Sequence, residues 1–152
     1  EAIDFINTIH LRFGNIQEVI IQNFQPKPNI EMSSHPVLEI YEILKTISIA
    51  RIMLSPEISI QAPPNLHPEF IRYIDAGIND WGGISPVTID YINPECEWPE
   101  IEKLSILTNS LGFKLKERLT VYPRYHKMAD SFLFPAMQFR VSESINKMYN
   151  NI

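Results

Sequence analysis

Nine residues of this chain have the types from which a site for a flat, polar organic molecule is built: Gln22, Asn23, Gln61, Asn65, Asn79, Asp80, Trp81, Ser85 and Thr88. Carboxamides carry paired donors and acceptors, which suit a ring edge or a polyol chain. An indole offers a face for stacking. Asp80 is the one carboxylate among them and the candidate proton acceptor, although a carboxylate there equally suits fixing a neighbouring arginine. Gly82-Gly83 would let a ligand approach the backbone closely. The Asp80-Trp81 pair carries the most information, because a buried strand rarely bears both without need. Gln22 and Asn23 equally suit satisfying loop backbone groups, and Asn65, after Pro63-Pro64, equally suits a plain turn. His10, His35, His67 and His126 show no i,i+4 pairing, nothing has metal-ligand spacing, and Cys96 reads as a spare thiol.

These residues need elements to hold them. Ala2, Phe5, Ile6, Ile9 and Phe13 recur at helical spacing, and Gly14 stops the helix. The chain starts at Glu1 inside that pattern without a cap, which predicts further sequence upstream. Residues 16–24 are β-branched and mostly apolar, as in a strand buried on both faces. Glu18 within that strand must be paired or lie at a barrel lining. A helix is predicted over 37–54, apolar around most of its circumference and therefore packed on both sides, with Arg51 burying its stem and solvating its tip. Residues 58–61 form a second strand, 62–65 a rigid turn and 69–76 a short helix ended by Gly77. Residues 78–84 form a third strand. A helix follows Pro99 with Ile101, Leu104, Leu107 and Leu111 as its inner stripe, ended by Gly112. Residues 113–123 read as an extra strand or an extended arm.

Strands that alternate with helices are parallel. A doubly wound sheet and a (β/α) barrel both fit, and no Gly-rich phosphate turn follows any strand, which weakens the dinucleotide-binding version. In either fold, ligands bind at the C-terminal ends of the strands, where the nine residues fall. The 152 residues are 45% hydrophobic and 20% charged, an ordinary globular composition. No apolar run reaches the ~20 residues of a membrane span, and the first residues lack the basic, apolar, small-residue pattern of a signal peptide, so none is expected among them. The net charge is −5 and the 13 Lys and Arg are scattered, which argues against nucleic acid and anionic membranes as partners. One cysteine fits a reducing, cytoplasmic setting.

Five ordered blocks carry a specific resemblance: residues 16–24 with Lys27-Pro28 and Met32; Gln61 to Asn65; residues 75–88, centred on Asn79-Asp80-Trp81-Gly82-Gly83; Asn93-Pro94-Glu95 with Trp98-Pro99; and Arg118-Leu119-Thr120-Val121-Tyr122-Pro123. Over residues 13–125 the chain resembles the radical-SAM, CofG-type subunit of FO synthase, the 7,8-didemethyl-8-hydroxy-5-deazariboflavin synthase family.

The resemblance implies an α/β fold, the C-terminal portion of a (β/α) radical-SAM TIM-type barrel with parallel strands. Residues 1–125 would supply its last three or so β/α units and an arm, and 126–152 a tail. It implies an enzyme that cyclises a tyrosine–ribitylaminouracil adduct to the deazaflavin with loss of ammonia, starting from reductive cleavage of S-adenosylmethionine at a 4Fe-4S cluster. Asp80 would be the proton acceptor. Gln22, Asn23, Gln61, Asn65, Asn79, Trp81, Ser85 and Thr88 would bind the substrate. The family's Cys-x3-Cys-x2-Cys motif and Gly-rich S-adenosylmethionine strand are absent from this chain, so alone it should bind neither cofactor and be inactive. Implied partners are the small-molecule substrate, an upstream barrel half and a CofH-type second radical-SAM subunit. Two readings compete. One is another radical-SAM barrel, menaquinone-pathway or biotin-synthase-like, against which the 79–83 block speaks. The other is a non-catalytic interaction module.

Overall fold

The computed structural model describes residues 1–85 and 87–149. Pro86, part of the 75–88 block, and the last three residues of the 126–152 tail lie outside the described residues. The chain forms two compact units, Glu1–Lys114 and Leu115–Ile152.

The first unit is mixed α/β around a small parallel sheet. Helix α1 (Ala2–Phe13) ends as its spacing predicts, with Gly14 at φ 63° closing the last turn onto the His10 carbonyl. Strand β1 (Glu18–Ile20) pairs in parallel with β2 (Ser59–Gln61), in the register Glu18–Ser59, Val19–Ile60, Ile20–Gln61. Helix α2 (Ile40–Met53) connects them and buries Ile40, Ile43, Ile47 and Ala50, a stripe at i, i+3, i+7 and i+10. That stripe meets β2, α1 and helix α3 (Tyr73–Ala76). Ile58 and Ile60 are fully buried beside it, each worth roughly 1.5–3 kcal/mol of apolar transfer. The far side of α2 is different from the expectation: Tyr41 and Ile52 are exposed, Ile52 to 82%, so within this chain the helix packs on one side only. A 3-10 turn (Phe70–Arg72) precedes α3. Helix α4 (Ile101–Ser110) buries Leu104 fully, whereas Ile101 and Leu111 of the predicted stripe are exposed.

The third expected strand is reduced to one parallel bridge, Gln61 to Asp80. Gly82, at φ 77°, turns the chain away and ends the pairing. Residues 16–24 are likewise strand only at their centre, because β1 has a ladder partner on one side.

Residues 113–122, which run from the end of the first unit into the second, form no strand. Helices α5 (Pro123–His126), α6 (Ala129–Phe132) and α7 (Pro135–Tyr149) follow. Pro135 begins α7 and interrupts nothing, since the missing amide of a first-turn proline has no helical acceptor to lose.

Candidate functional site

β2 lies between two neighbours, and the side chains at its C-terminal end are fixed from both. On one flank the Gln61 Nε2 donates to Glu18 Oε2 at 2.5 Å, so the glutamate expected to need a partner has one. On the other flank Asn79 stands in for a strand. Its backbone N–H donates to the Ile60 carbonyl at 3.2 Å, and its Oδ1 accepts from the Ile60 N–H at 2.8 Å.

Arg51 holds this edge in place. Its guanidinium donates to the Gly77 carbonyl (2.7 Å), the Ile58 carbonyl (3.3 Å) and Asn79 Oδ1 (2.9 Å). The predicted solvated tip is therefore corrected: the tip is spent on protein acceptors, because α2 carries it against the Gly77 carbonyl, the Ile58 carbonyl and the Asn79 amide. Burial pulls the guanidinium pKa down from its usual value. The stem passes so close to Gly77, itself at φ 117°, that an added Cβ there would meet Arg51 Cβ and Cγ at 2.9 Å. Arg51 is the residue the sequence pattern concealed, since a lone arginine in an apolar helix has the same signature whether its tip meets water or carbonyls.

Beyond Asn79 the chain carries Asp80 beside Gln61. Asp80 Oδ1 accepts from the Gly82 N–H at 2.7 Å. Trp81 is buried and receives Phe70 edge-on, ring centroids 5.7 Å apart. The expected open approach at Gly82-Gly83 holds for only half of the pair. Gln61 Oε1 would lie 3.1 Å from a Cβ on Gly82, whereas Gly83 has open space.

The remaining predicted residues fall into separate places. Asn23 is buried and donates to the Leu66 carbonyl (3.2 Å), which also accepts from Gln25 (2.7 Å). Asn65 Nδ2 donates to Asp90 Oδ2 (3.0 Å) and the Cys96 carbonyl (3.1 Å). Ser85 and Thr88 pair through their hydroxyls at 2.6 Å in an exposed turn, and Gln22 is exposed. Gln61, Asn79 and Asp80 are thus brought together, with Trp81 next in the chain. Asn23 and Asn65 brace the 62–66 turn, Gln22 and Thr88 are exposed, and Ser85 is half-buried. Asn65 alone of the nine borders the open cavity of about 800 Å3 between residues 64–70 and 95–103.

Cys96 near that cavity does not fit an iron–sulfur cluster. Such a cluster takes three or four thiolates, and the chain has one thiol. Burial first, then the Glu95 charge, raise its pKa and keep it protonated. Among the described residues no three His, Cys, Asp or Glu side chains come together as metal ligands, and no helix is long and apolar enough to cross a membrane.

No family model matches the chain, and no solved structure matches it. Named relatives do. The chain is 49% identical over 126 residues to the 7,8-didemethyl-8-hydroxy-5-deazariboflavin synthase of Methanopyrus kandleri, covering 82% of this chain and 37% of that protein. It is 44% identical over 150 residues to the enzyme of that name from Methanothermobacter thermautotrophicus, covering 98% and 44%. It is 41% identical over 143 residues to the FO synthase of Streptomyces coelicolor, covering 93% and 16%. The resemblance read from the five blocks is therefore borne out: most of this chain is homologous to a part of these synthases, and it spans 16 to 44% of the length of these three.

Proposed function

We propose that this chain is the substrate-facing part of a deazaflavin synthase. In this reading it is the C-terminal portion of a radical-SAM (β/α) barrel, with the barrel part within residues 1–125 and a tail from 126. The observation that supports it most is the order Glu18, Gln61, Asp80 across three adjacent parallel segments. Gln61 and Asp80 lie side by side at the C-terminal end of β2, where such folds bind ligands, and the Gln61 amide reaches back to Glu18 at the start of β1. The relatives' names give the product: a fused, flat ring with a hydroxyl and a ribityl chain.

The 4Fe-4S cluster and S-adenosylmethionine belong with the length of the relatives that this chain does not span, as does the upstream barrel half. The CofH-type subunit supplies the adduct. This chain's own residues bind and orient. Trp81 offers a fixed ring wall. Asn79 has its oxygen committed to Arg51 and Ile60, so its contribution is the Nδ2 donors. Gln61 is oriented by Glu18, and Asp80 accepts the proton released as the ring closes.

In the complete enzyme, Asp80→Asn keeps the residue's shape and removes its basicity. Cluster content and cofactor cleavage should stay at wild-type levels while deazaflavin formation falls by roughly 100-fold, the scale of a lost general base. Product at the wild-type rate removes Asp80 from the chemistry. Loss of the cluster as well makes its role structural.

A further inference from the structure

Of the predicted site residues only Asn65 lines the hollow beside residues 64–70. The cavity of about 800 Å3 lies within the span of roughly 300–1,000 Å3 typical of small-molecule sites. It opens beside the strand ends, between residues 64–70 and the start of α4. Its walls are braced from within. Gln25 donates to the Leu66 carbonyl on one side, Asn65 to the Cys96 carbonyl on another, and Lys27 pairs with Glu95 across the loops. A cavity whose walls are already bonded to each other loses little order on binding.

Its chemistry is that of a ring site. Phe70 and Trp98 line it, and Phe70 is the ring that meets Trp81 edge-on. Lys103, in the first turn of α4, brings a cation, while Glu97 and Glu100 bring carboxylates to the same rim. His67 Nδ1 accepts from the Glu69 N–H at 3.1 Å, so the neutral ring presents its Nε2–H. Aromatic faces, one ammonium and acceptors for hydroxyl groups together match a flat fused ring that bears an acidic hydroxyl and a polyol chain.

We propose that this cavity holds the ring of 8-hydroxy-5-deazariboflavin, with Phe70 and Trp98 against the ring and Lys103 beside its hydroxyl oxygen. The ribityl hydroxyls then donate to Glu97 and Glu100. This rests on the synthase reading above and adds to it: ring closure occurs at Asp80, and the formed ring is held one aromatic pair away, beyond Phe70. Nothing in the cavity takes part in bond making.

The test is direct binding of the deazaflavin to the complete protein, followed by the ring's own absorbance and fluorescence. Saturable binding is expected. Trp98→Leu should weaken it about tenfold, equivalent to about 1.4 kcal/mol, and Trp98→Phe should restore most of that because stacking needs only an aromatic face. Lys103→Gln should weaken binding several-fold, and only for the hydroxylated ring. 5-Deazariboflavin without the hydroxyl should bind this variant and the wild type alike. Unchanged affinity in Trp98→Leu, with loss in Trp81→Phe and Asp80→Asn, would place the ring at the strand ends. That outcome overturns the cavity assignment and leaves the synthase reading intact, as does a protein that makes deazaflavin but does not bind it saturably. A complete protein, supplied with its second subunit, that neither makes nor binds deazaflavin overturns both.

Discussion

Residues 58–81 and residues 87–92 belong to one unit and differ in how firmly they are held. The first stretch is pinned by burial and by bonds from afar. Ile58, Ile60 and Tyr73 are buried, and Arg51 reaches across 26 and 28 residues to fix Gly77 and Asn79. The second exposes Val87, Tyr91 and Ile92 to 88%, 82% and 77%. Its order centres on the Asp90 carboxylate, which accepts from the Ile92 and Asn93 amides nearby and from Asn65 Nδ2 outside the stretch. Chemistry that depends on sub-ångström placement needs side chains locked by packing and second contacts. That condition is met around Asp80 and not around Thr88, although both residues are polar and both follow the same strand end.

The contrast is broken most severely at Gly77. An alanine there adopts φ 117° at a cost and drives its Cβ into the Arg51 stem at 2.9 Å. Left-handed strain of about 1–2 kcal/mol and overpacking of about 1–3 kcal/mol give an expected loss of about 2–5 kcal/mol. Chemical denaturation of the complete protein measures it. Gly83→Ala is the control: nothing lies within 4 Å of its added Cβ, and its stability should move by less than about 0.5 kcal/mol. Equal losses at both positions would mean that the Arg51 contact does not hold this edge.

Arg51→Met comes next. It keeps the packed stem, takes the Arg51 donor from the Gly77 and Ile58 carbonyls, and leaves Asn79 Oδ1 with the Ile60 N–H. Unsatisfied, partly buried acceptors cost about 1–3 kcal/mol. The loss is expected at the lower end because Asn79 is exposed and water can replace one bond. Arg51→Lys should recover only part, since an ammonium cannot reproduce the planar fork. A melting temperature unchanged in Arg51→Met would show that the side chain is held by the edge and does not hold it.

What the sequence discloses follows the range of the forces involved. Helix α1 and its Gly14 stop were readable because periodicity and a left-handed cap are local. The parallel pairing of β1 and β2 was readable because a helix separates two short apolar runs. Strand lengths were not, since the ladder's extent depends on how many neighbours each strand has. Residues 78–84 had the composition of a strand, yet the turn at Gly82 left a single bridge. Asp80 and Trp81 stood out by type alone. The roles of Asn79 and Arg51 did not, because they are set mostly by partners 19 to 28 residues away. The ring-lined cavity was equally hidden: Phe70 and Trp98 are 28 positions apart, and only the fold brings them to one hollow.

The smallest expected effect concerns the loosely held stretch. Asp90 is opposed by burial, which favours its neutral form. The hydrogen bonds from the Asn93 side chain and amide, from Asn65 and from the Ile92 amide outweigh that and keep its pKa below the ordinary aspartate value. A group with a lowered folded pKa binds fewer protons folded than unfolded, so its contribution is fully present above the ordinary value and fades as pH falls through the lowered one. The turn should therefore be intact at neutral pH and loosen only in acid below about pH 4. The amide proton shifts of Ile92 and Asn93 should titrate together there, while those of residues 58–61, held by strand pairing, should not. In Asp90→Asn the acid transition of the turn should vanish. If residues 58–61 move in the same transition, the two stretches open as one, and the distinction between them fails at its weaker side.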